Sequence, residues 1–335
     1  MMLPLALWLH DLDKMAVHIP WLPNGGIAWY GLSYLAGFVI AWLLVRRVMA
    51  AGATPLGVPM AKDAAADLIM TCAMGVLIGG RLGYCIFYKP HLWVEFSGDL
   101  PFWGVLAIHQ GGMASHGGMI GAGLATVWWA RKHKVPVPYL LDLIAFAAPL
   151  GLCCGRLANF INGELYGRAC DASYRFAVLF PQEVAEDPKK YEALAARIGP
   201  VPADLGMAAK ADPALAAILR EPGMLTPRHP SQLYAAAAEG LMVFLVLFIA
   251  YRKPRKPGFI AGLFALTYTA ARVGDEFFRM PDAQFIKNGN LPSITQGQLL
   301  SLFLLAVGIG LVVWSRKSEG KALGGWAKAP GQDRA

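Results

Sequence analysis

The chain has 335 residues, of which 56% are hydrophobic and only 16% are charged, and its mean hydropathy is +0.45. Soluble domains are about half apolar and about a quarter charged, so this composition excludes an ordinary soluble protein and favours one polytopic membrane bundle. The five cysteines form no CxxC or Cys/His spacing, so we predict neither a disulfide framework nor a metal site. The first 14 residues lack a basic leading region, which indicates an interfacial segment and not a cleaved signal peptide.

Seven apolar stretches each approach the ~20 residues that a membrane-spanning helix needs. We therefore predict an all-α polytopic membrane protein with seven transmembrane helices in a single domain, 1–317, followed by a mobile cytoplasmic tail, 318–335. The predicted spans are 27–45, 66–88, 114–130, 139–160, 231–250, 258–278 and 297–315.

Short basic clusters follow the first, third, fifth and seventh predicted spans, at 46–47, 131–134, 252–256 and 316–317. Seven spans place all four clusters on one side, which the positive-inside rule makes cytoplasmic. The N-terminus is then outside, the C-terminus is inside, and the long loop 165–228 forms a small outer head. Because this topology accounts for most of the net charge of +8, we expect no nucleic-acid partner.

Several arginines do not fit this orientation, because they lie on the outer side or in the outer half of a span. A charge at the centre of a span costs about 2.5–3.5 kcal/mol on insertion scales. An anionic lipid headgroup is the simplest partner for them, since a guanidinium fork matches phosphate oxygens. These arginines are Arg81, Arg156, Arg168, Arg228, Arg272 and Arg279.

The densest polar stretch follows the fourth apolar run, between residues 155 and 168. Arg156, Asn159 and Asn162 are each three residues apart, so they lie on one helix face. Gly163 and Gly167 then interrupt the helix and permit a close backbone approach. One arginine at a helix end is explained by snorkelling, but this whole cluster indicates a function.

Other spans bring polar residues to the same outer layer. Arg272 and Glu276 are four apart and can pair, which indicates either a functional site or an ion pair that only fixes packing. His116 opens the third span, and the unperturbed pKa of histidine, about 6.5, suits proton transfer at neutral pH, although a hydrogen-bonded structural histidine is an alternative. Tyr30 and Gln232 open the first and fifth spans.

A polar layer confined to the outer leaflet predicts an interfacial enzyme that acts on a phospholipid. A selective pore would line its whole length with polar groups, and a carrier would place its site near the midplane. A lipid or solute transporter that uses the arginines as an anion site and a structural membrane partner are the two alternatives.

The same residues resemble the bacterial prolipoprotein diacylglyceryl transferase family over about residues 24–315. The resemblance implies transfer of the diacylglyceryl group of phosphatidylglycerol to the lipobox cysteine thiol of a prolipoprotein signal peptide, with a thioether formed and glycerol phosphate released. It implies a site facing outward from the bacterial cytoplasmic (inner) membrane, and neither a cofactor nor a metal. The matching motifs are 29–32, 79–84, 116–118, 155–168, 229–234 and 276–284.

The resemblance also leads to hypotheses about individual roles. His116 is the base, with a carboxylate or water as the alternative, and Arg156 and Arg272 hold the phosphate, with Glu276 orienting Arg272. The remaining residues position the headgroup, bind substrate or fix the turn after span four: Tyr30, Arg81, Asn159, Asn162, Gly163, Glu164, Gly167, Arg168, Gln232 and Arg279.

The chain departs from the family pattern at three positions. Ala158 replaces a common glycine, Ala235 a common acid and Ala271 a common aromatic residue. The missing acid puts in doubt a carboxylate role after Tyr234, although Glu239, one helical turn deeper, can substitute for it.

Overall fold

The computed structural model describes residues 7–21, 25–50, 63–98, 101–107, 112–280 and 296–322, without the side chains of 115, 116 and 296–300. It is mostly helical. In chain order the helices are α1 (Trp29–Ala50), α2 (Ala64–Phe87), α3 (Ser115–Lys132), α4 (Val137–Asn162), α5 (Gln182–Glu186), α6 (Pro188–Ile198), α7 (Leu205–Ala211), α8 (Pro213–Leu219), α9 (Ser231–Tyr251), α10 (Phe259–Asp275) and α11 (Gln296–Lys317).

The long helices α1–α4 and α9–α11 occur at the seven predicted positions. Four of these helices, α1, α2, α4 and α9, are long and apolar enough to cross a membrane. A helical membrane protein is therefore confirmed, while crossing by all seven helices stays a prediction. Much of the predicted tail, from residue 323 onward, lies outside the described residues.

The chain divides into two compact units, each assembled from separated segments. The first combines Met1–Gly37, Pro149–Val246 and Ala265–Val307, and the second combines Phe38–Ala148, Leu247–Phe264 and Gly308–Ala335. The first unit contains the 165–228 segment, which we call the head.

Aspartate caps explain where three of the short helices in the head begin. The side chains of Asp187, Asp204 and Asp212 accept hydrogen bonds from backbone N–H groups of the following turn. The segment 205–219 forms two helices and not one continuous helix. Pro213 has no N–H to donate and starts a new helix after Asp212, so the segment forms α7 and α8.

Short β-strands are the main departure from the all-α prediction. Strands β1 (Trp8–Leu9), β4 (Val178–Leu179) and β5 (Pro227–Arg228) form one sheet, in which β1 is parallel and β5 antiparallel to β4. Strands β2 (Met15–His18) and β3 (Gly26–Ala28) form an antiparallel pair. Residues 8–9 therefore pair with the head, and an interfacial position of the N-terminal segment stays a prediction.

A buried carboxylate binds the parts of the head to one another. Glu183 is 5% exposed, and its two oxygens each accept a 3.0 Å hydrogen bond from Arg228. Lys190 and Thr226 donate to it as well. Arg228, one of the arginines that lacked a sequence partner, thus has an internal one. Burial alone raises the pKa of Glu183, but these hydrogen bonds lower it to about 2.

The second unit packs α2 against α3 through glycines. A Cβ on Gly79 would lie 2.3 Å from the carbonyl oxygen of Gly117, and one on Gly75 would lie 2.5 Å from that of Gly121. This spacing lets the two backbones touch, as in other small-residue membrane interfaces. In the same unit Asp142 of α4 accepts from Gly258 N at 2.8 Å and Ala261 N at 2.7 Å, which caps the start of α10.

We predict that Glu183→Ala destabilises the head by about 3–5 kcal/mol, because it leaves the Arg228 side chain, which is only 12% exposed, without its carboxylate. Since the folded-state pKa of Glu183 lies below its ordinary value of 4.5, its contribution is present above that pH and is lost as the pH falls toward about 2. Amide hydrogen exchange in residues 178–228 measures the change. Glu221→Ala removes an exposed ion pair with Arg197 and serves as the control. Equal protection from amide hydrogen exchange in the Glu183→Ala and Glu221→Ala variants would contradict the prediction.

Candidate active site

Three helices of the first unit bring charged side chains together: the last turns of α4, the first half of α9 and the end of α10. Arg156 lies on α4, Arg272 on α10, and Glu239 in a π-helical segment of α9, Ala236–Met242. Such segments disturb the regular helical phase and recur at functional sites. Gly240 allows α9 to approach α4 closely, since a Cβ there would lie 2.6 Å from that of Cys153.

Glu239 joins the two arginines. Its residue is 0% exposed, its Oε2 accepts from Arg156 Nη2 at 3.0 Å, and its Oε1 lies 3.5 Å from Arg272 Nη1. A buried carboxylate is costly unless it is paired, and here one carboxylate meets a guanidinium from each of two other helices. Glu239 therefore fixes Arg156 and Arg272 relative to each other.

Arg272 contacts two further carboxylates. Its Nη1 lies 3.3 Å from Asp275 Oδ2, and its Nη2 lies 3.1 Å from Glu276 Oε2. The Arg272–Glu276 pair that the sequence spacing predicts is thus present. We call Arg156, Glu239, Arg272, Asp275 and Glu276 the arginine–carboxylate cluster.

A second layer of polar contacts joins the end of α4 to the start of α9. Asn159 donates to Glu164 Oε1 at 2.7 Å, and Gln232 donates to the carbonyl oxygen of Glu164 at 2.6 Å. The Tyr30 side chain interacts electrostatically with Asn159 and Glu164. Four of the predicted site residues therefore meet in one place.

The two glycines after α4 behave as predicted. Gly163 has a φ of +69°, a conformation that glycine adopts easily and that ends the helix. At Gly167 a Cβ would lie 2.6 Å from the carbonyl oxygens of both His229 and Phe278. The backbone at Gly167 is therefore packed between the segments that contain His229 and Phe278, and a larger residue at this position would displace one of them.

Arg168 connects this turn to the end of α10. Its Nε donates to the carbonyl oxygen of Arg279 at 3.0 Å, and its Nη2 donates to that of Glu276 at 3.3 Å. Gly167 and Arg279 also form an isolated β-bridge. These contacts place Arg168 and Arg279 beside the arginine–carboxylate cluster.

Two predicted site residues belong to the second unit. Arg81 is 5% exposed and donates to the carbonyl oxygens of Val105 at 2.7 Å, Gly104 at 2.7 Å and Gly112 at 3.1 Å. Its visible contacts support the loop between α2 and α3, and its role in substrate binding stays a prediction. His116 lies in the first turn of α3, but its side chain is outside the described residues.

Several buried acceptors in this region have no hydrogen-bond donor among the described residues. They are Asn162 Oδ1, Gln232 Oε1, Asp275 Oδ1 and Glu276 Oε2. Glu276 Oε2 lies within ion-pair distance of Arg272 but forms no hydrogen bond with it. Unsatisfied buried acceptors are uncommon in folded proteins and here lie on or beside predicted site residues. The described residues contain no group of His, Cys, Asp and Glu side chains that could hold a metal ion.

Sequence reasoning did not identify Glu239 and Asp275 as members of the site. Glu239 entered only as a substitute for a missing acid, although a lone carboxylate in an apolar helix is itself an indication of function. Asp275 lies three residues after Arg272, so the same helical spacing that identified Glu276 identifies it too. Buried Tyr268 of α10 interacts electrostatically with Glu239, Arg156 and Arg272 and had no sequence signal.

The fold and the site define a helical integral membrane protein with an arginine-rich site between its helices. The sequence matches the family model described as prolipoprotein diacylglyceryl transferase over residues 16–314. The chain belongs to this family.

Similar proteins from three bacteria are named phosphatidylglycerol–prolipoprotein diacylglyceryl transferase. One from Bdellovibrio bacteriovorus is 43% identical, over 96% of this chain and 97% of the relative. One from Beijerinckia indica is 39% identical, over 93% and 96% respectively, and one from Serratia proteamaculans is 41% identical, over 86% and 88%. Their common name specifies a lipid donor and a protein acceptor.

Proposed function

We propose that the chain is an enzyme that transfers the diacylglyceryl group of phosphatidylglycerol to the lipobox cysteine of a prolipoprotein. The cysteine thiolate attacks the glyceryl carbon that carries the phosphate ester. A carbon–sulfur bond forms, the carbon–oxygen bond breaks, and glycerol phosphate leaves with the bonding electron pair. The reaction is the first step of lipoprotein maturation.

The observation that carries this proposal is the pair of arginines held by one buried carboxylate. Each guanidinium has five N–H donors, and the carboxylates of the cluster occupy only some of them, so the remaining donors suit the oxygens of a phosphodiester. With Arg168 and Arg279 the region has four guanidinium groups beside the three carboxylates of the cluster. Fixed guanidinium groups match the negative charge of the donor phosphate and stabilise the phosphate as it leaves.

The second polar layer suits the glycerol headgroup. Tyr30, Asn159 and Gln232 offer hydroxyl and amide groups near the end of α4, and Glu164 fixes two of them. Hydroxyl groups of glycerol donate and accept hydrogen bonds, so this layer orients the donor while the arginines hold its phosphate. The turn after α4, which contains Glu164, is formed with the help of Asn162, Gly163 and Gly167.

Thiol deprotonation is assigned to His116. A free thiol has a pKa of about 8.5, so a base raises the thiolate fraction at neutral pH. The unperturbed pKa of histidine, about 6.5, suits that role at neutral pH. A carboxylate of the cluster or water is the alternative base.

We also propose that α1–α4 and α9–α11 all cross the bacterial cytoplasmic (inner) membrane, with the N-terminus and the head outside and the C-terminus inside. Basic residues in the last turns of α1, α3 and α11 support this orientation. In this proposed topology the end of α4, the start of α9 and the end of α10 are outer ends, so the arginine–carboxylate cluster would face outward.

Mass spectrometry of a short lipobox peptide incubated with phosphatidylglycerol and the protein tests the reaction. A diacylglyceryl mass on the cysteine, together with released glycerol phosphate, is expected. In sealed right-side-out vesicles an impermeant peptide should be modified from outside. Modification only after lysis would contradict the orientation, and an unmodified peptide would contradict the reaction.

Arg156→Lys should reduce turnover about 100-fold with normal membrane insertion, because lysine keeps the charge but loses the fork. Initial rates with saturating peptide measure the effect. Arg197→Lys changes an exposed arginine of the head in the same way and should leave the rate unchanged. Parent-like turnover of Arg156→Lys would remove the phosphate-binding role from this residue.

Glu239→Gln should also reduce kcat by at least about tenfold, because the two arginines lose the charge that fixes them. We class Glu239 as a positioning residue, so stability is measured together with kcat and KM. Glu221→Gln is the control for charge removal. If Glu239→Gln lowers only the unfolding temperature and the folded protein keeps its kcat, the residue has a purely structural role.

His116→Gln should lose turnover and still bind phosphatidylglycerol. The rate of the parent protein should decrease as the pH drops below about 6.5, because a histidine base becomes protonated there. The rate of the variant should not show this decrease. His91→Gln, at an exposed histidine, is the control. A variant with the parent's rate and pH profile would show that His116 is not the base.

A further inference from the structure

The head contains a cavity that the proposed chemistry does not use. Its volume is about 160 Å³, and it lies within the first unit beside the C-terminal end of α4. Cavities of similar size hold a benzene-sized molecule, so there is room for one small side chain and its backbone. Its lining includes His10, Asn162, Gly163, Gln182, Tyr191 and Asp204.

Two residues of the cavity lining, Asn162 and His10, carry side-chain atoms that can accept hydrogen bonds. Asn162 Oδ1 is buried and has no donor among the described residues. His10 Nε2 is 2.7 Å from the carbonyl oxygen of Phe160, which makes Nε2 the donor and Nδ1 an acceptor. Burial lowers the pKa of His10, so the ring is neutral at pH 7. Its Nδ1 lies beside Gly163, since a Cβ there would be 3.2 Å from it.

These groups favour a ligand with N–H donors over an anion. A phosphate diester has no proton to donate to Asn162 Oδ1 or to His10 Nδ1. The lining also includes one lysine and one aspartate, Lys14 and Asp204, so it carries no excess of positive charge. An extended peptide has one N–H group per residue and meets both requirements.

The position of the cavity relates it to the cluster. Asn162 is six residues after Arg156 on α4, which corresponds to about 9 Å along the helix axis. An extended chain covers this distance in about three residues. If the acceptor cysteine lies at the cluster, the residues two to four positions after it reach the cavity.

We propose that this cavity binds the extended segment that follows the acceptor cysteine of the protein substrate. The inference rests on the proposed function and adds a second contact for the acceptor, on the mature side of the cysteine. Backbone N–H groups of the segment donate to Asn162 and His10, and one small side chain enters the cavity.

Ala185 lines the cavity and is exposed, so Ala185→Trp fills the space without a buried substitution. The KM for a lipobox peptide with five mature residues should rise about tenfold, while the KM for phosphatidylglycerol stays unchanged. Ala196→Trp, on an exposed position of α6, is the matched control and should change neither value. An unchanged peptide KM overturns the proposal, as does a rise in the lipid KM alone, which would assign the cavity to the glycerol headgroup.

A cross-linking measurement on the unsubstituted protein covers the case in which Ala185→Trp does not fold. A peptide with benzoylphenylalanine at the third mature position should link to residues 181–185 or 201–206. The same group three positions before the cysteine should not link there. Links elsewhere in the chain overturn the proposal. Because cross-linking needs no turnover, it decides the cavity assignment even if the transfer assay contradicts the proposed function.

Discussion

The site depends on one fully buried carboxylate that contacts guanidinium groups of two other helices. An arginine within a membrane helix costs about 2.5–3.5 kcal/mol on insertion scales, and two neighbouring arginines also repel each other. Glu239 offsets both costs at once, since it contacts Arg156 and Arg272 together. Because each guanidinium keeps further N–H donors, the pairing orders the arginines and still leaves them able to meet an anion.

Irregular backbone makes this arrangement possible. The π-helical segment of α9 carries Glu239, and Gly240 next to it permits α9 to touch α4 at Cys153. Gly163 ends α4 with a positive φ and turns the chain back toward α9. Regular helices of the same length would present these side chains at other angles, so the local departures from helical geometry are part of how the site is built.

The sequence predicted the long helices and the residues that interrupt them, because apolar length and helical spacing are local properties. It also predicted the Arg272–Glu276 pair, which is four residues apart. The Arg156–Glu239 contact joins residues 83 apart, and no periodicity within one helix reveals it. The strands were missed for a related reason: strands of two to four residues are too short to show a pattern, and Trp8 pairs with Val178 only after the head has folded.

The proposed lipid site and the proposed peptide site both include residues of helix α4. Arg156, Asn159 and Asn162 recur about once per turn at the end of α4, and they contact the cluster, the Glu164 layer and the head cavity in that order. A helix keeps such distances constant better than a loop does, and substitution at carbon requires the thiolate and the leaving phosphate to be aligned. In the proposed mechanism, the polar end of α4 would therefore hold the phosphate, the headgroup and the acceptor peptide at fixed spacings along one helix.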